Sequence, residues 1–144
     1  MLRNIDPLLT PDLLKILREM GHGDEIAIVD ANYPAVTDGR RVVRLAGVDA
    51  TKALRAILTV LPLDTYVDFA AHRMEVVGDP DRIEPITVEF QKLLDDLAVE
   101  DVRLGSLERF AFYTRVKDAF AVVSTAEGRL YGNIILKKGV IPPG

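Results

Sequence analysis

The apolar positions along the chain come in two kinds of run, and their spacing divides it into elements. Leu13, Leu14, Ile16 and Leu17 fall on one face of a helix. Thr10 is its expected cap, Pro11 suits its first position and Asp12 favours the positive end of its dipole. Met20-Gly21 ends it, with Gly21 as the expected left-handed cap. Glu25-Ile-Ala-Ile-Val-Asp30 is instead a short continuous apolar run, the pattern of a buried strand. Pro34 and Asp38-Gly39 mark a loop, and Arg41–Leu45 reads as a second strand. Ala50–Leu61 is a helix with Leu54, Ile57, Leu58 and Leu61 on one side, stopped by Pro62. Met74–Val77 is a third strand, ended by Gly78-Asp79-Pro80. Ile86–Leu97 is a helix with Phe90, Leu93, Leu94 and Leu97 inward. A short strand is expected at Val102–Leu104 and a fourth helix at Ser106–Asp118, anchored by Leu107, Phe110 and Val116. Phe112 is left for a subunit contact. Phe120–Ser124 and Asn133–Lys137 are two further strands.

Helices and strands alternate loosely, and the strands are apolar on both faces. That predicts a single α/β domain over residues 1–144, with a mixed, largely parallel sheet of about six strands covered by helices on both sides. No repeat, linker or low-complexity segment interrupts it.

Composition narrows the function classes. The formal net charge is −4, which argues against a nucleic-acid partner, because such proteins usually carry a basic excess on one face. There is no cysteine, so disulfides and thiolate chemistry are out and a reducing compartment fits. The N-terminus has no long apolar run and carries Asp6 and Asp12, unlike a signal peptide. No stretch approaches 18 apolar residues, so no membrane partner is expected. The expected setting is cytoplasmic.

The polar residues that break the apolar runs are the candidates for chemistry. His22 lies in Gly21-His-Gly-Asp-Glu25, just past a helix C-terminus, where the dipole favours a protonated imidazole suited to general-acid work. Position alone also fits an ordinary loop histidine. Gly21-x-Gly23 precedes a strand rather than following one, so neither phosphate-loop motif applies. With His72 as the only other imidazole and no thiolate, no metal site is expected; His72 reads as exposed and structural. Asp30 and Asn32 point the same way at the end of a strand, where open α/β sheets bind ligands, though both also favour turns. Tyr131 and Asn133 have the same spacing, and Gly132 between them offers close backbone approach to a ligand. Arg109 and Tyr113 share a helix face, and Arg109 suits either sugar oxygens or a surface ion pair. Asp64 alone reads as a cap or turn residue. No serine sits in a nucleophile elbow. The set suits proton transfer on a polyhydroxylated ligand without metal or cofactor, and it suits simple sugar binding equally.

With these residues in view, the sequence resembles the L-fucose mutarotase family, related to the ribose pyranases. Met20-Gly-His-Gly-Asp-Glu-Ile26, Asp30-Ala-Asn-Tyr-Pro34, Pro62-Leu-Asp-Thr-Tyr66, Glu108-Arg-Phe-Ala-Phe-Tyr113 and Tyr131-Gly-Asn-Ile-Ile-Leu-Lys-Lys-Gly-Val140 carry the likeness. The resemblance implies a three-layer α/β/α fold and the interconversion of sugar anomers by acid–base ring opening. It implies His22 as proton donor, Asp64 as a second acid–base group, and Asp30, Arg109, Tyr113, Tyr131, Gly132 and Asn133 as sugar-binding positions. No cofactor is implied. The implied partners are a free monosaccharide and further copies of the chain in a ring-shaped homo-oligomer, often a decamer, with sites near subunit contacts. Gly23-Asp24-Glu25, Arg109 and Tyr113 favour the fucose branch over the ribose branch. A non-catalytic sugar-binding protein is the alternative of another class.

Overall fold

The computed structural model describes residues 1–144. Its centre is a six-stranded sheet in the order β2-β5-β1-β6-β3-β4. The strands are β1 (Glu25–Val29), β2 (Val42–Leu45), β3 (Ala71–Met74), β4 (Leu104–Leu107), β5 (Ala121–Thr125) and β6 (Ile134–Lys137). All run parallel to their neighbours except β6, which lies antiparallel between β1 and β3. The helices are α1 (Pro11–Glu19), α2 (Ala35–Asp38), α3 (Ala50–Leu58), α4 (Pro85–Leu97) and α5 (Arg109–Asp118).

The central strands are apolar on both faces because both faces are covered. Ile26, Ile28, Ala121, Val123, Ile134 and Leu136 pack into one cluster with α1, α3 and α4. The alternate residues Ala27, Val29, Val122 and Ile135 pack with Ala35 of α2 and with Phe112 and Val116 of α5. This is the expected three-layer α/β/α arrangement, and the period-two alternation of strands assigns each residue to its layer.

Several boundaries differ from the sequence expectation. Thr10 caps α1 through its hydroxyl, which accepts from the Leu13 amide at 3.3 Å. The left-handed residue of the following turn is Gly23 (φ 87°), not Gly21. The third strand is Ala71–Met74, three residues earlier than its apolar pattern implied, and Val76–Asp79 closes as a tight turn. The stretch after Pro34 forms the one-turn helix α2 rather than a plain loop. Leu104–Leu107 pairs with β3 as a strand, so α5 begins only at Arg109, where Glu108 accepts from the Phe110 and Ala111 amides. On α5 the roles of two phenylalanines are reversed. Phe112 is fully buried, against the subunit contact expected for it, while Phe110 is 67% exposed.

Candidate functional site

The carboxyl ends of the parallel strands carry a cavity of about 220 Å³, lined by polar and apolar side chains in two groups. Asp30 follows β1, and Asn133 precedes the antiparallel β6, so both reach the same end of the sheet. The two are locked together. Asn133 Oδ1 accepts from the Asp30 amide at 2.8 Å, and Asn133 Nδ2 donates to Asp30 Oδ2 at 3.0 Å. Asp30 Oδ1 accepts from the Asn32 amide at 2.9 Å. Burial raises the Asp30 pKa above the usual carboxylate range, against the lowering effect of these hydrogen bonds. The result is a fixed carboxylate with enhanced basicity.

Arg109 and Tyr113 of α5 form the second polar wall. Arg109 Nε donates to the Tyr113 hydroxyl at 3.1 Å. Tyr131 closes the cavity from the loop before β6, and its hydroxyl accepts from the Val77 amide at 3.1 Å. Tyr131 holds φ 61°, a left-handed conformation uncommon outside glycine. Tyr131 and Asn133 therefore do not share a face through extended spacing, as the sequence implied; the turn brings them to one cavity instead. Gly132 has a packing reason of its own. A Cβ there would lie 2.7 Å from Glu127 Cγ and 3.0 Å from Ile86 Cδ1. Its bare side thus faces the interior.

The apolar wall was not assigned from the sequence. Met74, Val77, Leu130 and Tyr33 line the same cavity. The Tyr33 hydroxyl donates to buried Asp38 Oδ2 at 2.9 Å, and its ring meets Tyr113 edge-on at 5.2 Å. Tyr33 belongs to the Asp30-Ala-Asn-Tyr-Pro34 motif, and that motif was the only signal that could have found it. Met74, Val77 and Leu130 reach the site by tertiary folding alone.

His22 and Asp64 sit elsewhere. His22 precedes β1, and the Asp64 amide donates to the Lys137 carbonyl at 3.1 Å, at the far end of β6. This is the amino end of the parallel strands. His22 Nε2 lies 3.1 Å from Asp64 Oδ1, which also accepts from the Tyr66 amide at 3.0 Å. A carboxylate only accepts, so Nε2 carries the proton. The Asp64 side chain is 4% exposed and that of His22 45%. Burial raises the Asp64 pKa, but the Tyr66 amide and the His22 ring outweigh it and hold the carboxyl below its usual range. The Tyr66 ring stands 5.6 Å from the imidazole.

The site predicted from the sequence therefore divides into two. β1 alone separates the halves by about 16 Å, five residues at about 3.3 Å each. Asp30, Arg109, Tyr113, Tyr131 and Asn133 converge; His22 and Asp64 form a pair at the opposite end. The C-terminal carbonyls of α1 do not face His22 alone either. Lys138 Nζ occupies two carbonyls there, from Leu17 and Met20, so the negative end of the helix dipole is met by that ammonium. His72 is half-buried rather than exposed, packed edge-on to Phe69 at 5.9 Å.

The profile of the RbsD / FucU transport protein family matches residues 3–141. The chain belongs to this family. A fucose mutarotase from Danio rerio is 46% identical over 149 residues, covering 99% of this chain and 95% of that protein. Among solved structures, the fucose mutarotase of Streptococcus pneumoniae in complex with L-fucose aligns with a TM-score of 0.91 and 42% identity, over 98% of this chain and 100% of that one. Bacillus subtilis RbsD complexed with D-ribose aligns with a TM-score of 0.75 and 26% identity, over 99% and 100%. This RbsD / FucU member thus lies nearer to the fucose-bound structure than to the ribose-bound one.

Proposed function

We propose that the protein is a cytoplasmic mutarotase that interconverts the α and β anomers of L-fucose. The observation that carries this reading is the cavity, in a chain alike over nearly its full length to a fucose mutarotase that holds L-fucose. Asp30, Asn133, Arg109, Tyr113 and Tyr131 supply acceptors and donors for sugar hydroxyls on one side. Met74, Val77 and Leu130 supply an apolar surface on the other. L-Fucose is a deoxy sugar with a methyl group beside its hydroxyls, and such a two-sided wall suits it. Ribose has no methyl to place there.

Mutarotation opens a cyclic hemiacetal and closes it on the other face. A base takes the anomeric hydroxyl proton while an acid protonates the ring oxygen. The C1–O bond breaks, the aldehyde turns about C1–C2, and the same groups return the protons on closure. Proton transfer of this kind is worth about 10²–10⁴-fold. Asp30 is the base in this scheme, since burial strengthens it and Asn133 fixes it. His22 is the acid, oriented through Nε2 by Asp64, which leaves Nδ1 to meet the sugar.

One chain cannot bring His22 to the sugar held by its own Asp30, so a second copy completes the site. Exposed apolar side chains border both halves: Tyr66 beside His22, with Val67 and Phe69 just after it in the chain, and Phe110, Leu130 and Val77 around the cavity. A ring-shaped homo-oligomer, a decamer by the resemblance, repeats that head-to-tail contact until it closes.

Saturation-transfer NMR on equilibrating sugar tests the reading. The wild-type protein is expected to accelerate exchange between the anomers of L-fucose more than those of ribose or galactose, and His22→Ala to return it to the rate in buffer. Tight fucose binding without faster exchange would instead make this a sugar-binding protein, and full activity in His22→Ala would remove His22 from the mechanism.

A further inference from the structure

The imidazole of His22 makes a single hydrogen bond, to Asp64, and rides on the short turn Gly21–Asp24 between α1 and β1. That turn is gripped from both sides by one residue. Lys138 Nζ donates to the carbonyls of Leu17 at 2.8 Å and Met20 at 2.6 Å, just before the turn. These are among the open carbonyls that every helix leaves at its C-terminus. The main chain of Lys138 holds the far side: its carbonyl accepts from the Gly23 amide at 2.8 Å, and its amide donates to the Asp24 carbonyl at 2.9 Å.

The two neighbours of Lys138 hold Asp64 in the same way. The Lys137 carbonyl accepts from the Asp64 amide at 3.1 Å, and the Gly139 amide donates to the Pro62 carbonyl at 2.9 Å. Residue 139 has to be glycine, because a Cβ there would collide with the Leu63 carbonyl. Residues 137–139 are thus a rail at the C-terminal end of β6 on which both members of the pair are mounted.

We infer that Lys138 is the positioning residue of the His22–Asp64 pair: its ammonium and main chain fix the His22 turn against the three-residue rail that also holds Asp64, and so set the contact between Nε2 and Oδ1. It touches neither the pair nor the cavity, and it acts through the turn. A compact ammonium with three rotatable donors suits two carbonyls on the curved end of a helix better than a planar guanidinium does. The inference rests on the reading of His22 as the acid. A plain helix cap would make a different prediction, namely lost stability with the imidazole undisturbed.

The experiment is Lys138→Met, which keeps the apolar stem and removes the donors, with Lys138→Arg as the conservative variant and Asp64→Asn as the reference for an uncoupled imidazole. Ring ¹⁵N–¹H spectra of His22 are recorded across pH, alongside anomer-exchange kinetics on L-fucose. In Lys138→Met the His22 titration is expected to leave the wild-type curve and fall on that of Asp64→Asn, with kcat down about tenfold or more and KM within about twofold. Lys138→Arg is expected to lie between, and it serves alone if the methionine variant does not fold. Wild-type His22 spectra in both variants, with only the melting temperature lowered, would overturn the inference. If the wild-type protein fails to accelerate exchange, the functional reading falls, while the His22 titrations still decide the role of Lys138.

Discussion

Glu127 lies beneath the cavity and is 3% exposed. It does three things at once. Its Oε2 accepts from the Ala50 amide at the start of α3, its Oε1 accepts from Arg129 Nε at 2.9 Å, and its main-chain carbonyl accepts from the Ala31 amide beside Asp30. Arg129, which also reaches Glu89 at 2.7 Å, holds the Glu127 carboxyl below its usual range; burial opposes this, and the Arg129 and Ala50 amides assist. A carboxyl whose folded pKa is lowered stabilises the fold fully above its unfolded pKa of about 4.3, and that stabilisation disappears as pH falls through the folded value. Glu127→Gln is therefore expected to cost about 1–3 kcal/mol at neutral pH. The gap to wild type should close as pH falls through that lowered folded value, below which both proteins carry a neutral side chain. Urea denaturation at neutral and acidic pH checks this, and a gap that persisted in acid would mean that the charge contributes nothing. The residue scale is also where the sequence says least about partners. Asp30 and Asn133 were legible as ligand candidates, but their reciprocal hydrogen bonds join positions 103 apart. No local spacing encodes such a pair.

Elements were legible in proportion to how one-sided their patterns are. β1, β5 and β6 are short apolar runs, and α1, α3 and α4 bury one clear stripe, so their types and approximate positions follow from the pattern. β3 does not: Ala71-His-Arg-Met carries a half-buried histidine and a buried arginine, and the more apolar stretch just after it drew the assignment. α5 is the instructive failure. Arg109 and Lys117 fall among Phe110, Phe112, Tyr113 and Val116 on the helical wheel while Ala111 lies opposite them, so the sequence carries no clear phase. The phase is set by packing, which places Phe112 and Val116, four residues apart, against the sheet. Phe112→Ala is thus expected to destabilise the chain by about 3–5 kcal/mol, the usual cost of removing a large buried ring. Phe110→Ala removes no side chain from the core within the chain. Thermal unfolding of both variants tests the phase, and equal losses would contradict it. Because α5 also carries Arg109 and Tyr113, a wrong phase would take both away from Asp30.

At the scale of the molecule, the open sheet carries polar groups at both of its ends. The carboxyl end holds the cavity, as parallel sheets generally do; the amino end holds the His22–Asp64 pair. No local pattern warns of this, because residues 22 and 30 are close in the chain and only the length of a strand parts them. The proposed mechanism then requires that each working site draw its carboxylate from one copy and its imidazole from the next. This can be tested without knowing the size of the assembly. His22→Ala and Asp30→Asn are each expected to be inactive alone. Produced together in one cell, they assemble at random, and a site is whole when an Asp30→Asn copy lends its His22 to the cavity of a His22→Ala copy. With equal amounts this occurs at about a quarter of the sites, so about a quarter of wild-type exchange activity should return. Mixing the purified variants without subunit exchange should return none. If co-production restores nothing although the two variants co-purify, His22 and Asp30 do not act on one sugar across a shared contact, and the acid must come from within the cavity itself, where Tyr131 and Tyr113 are the remaining hydroxyl donors.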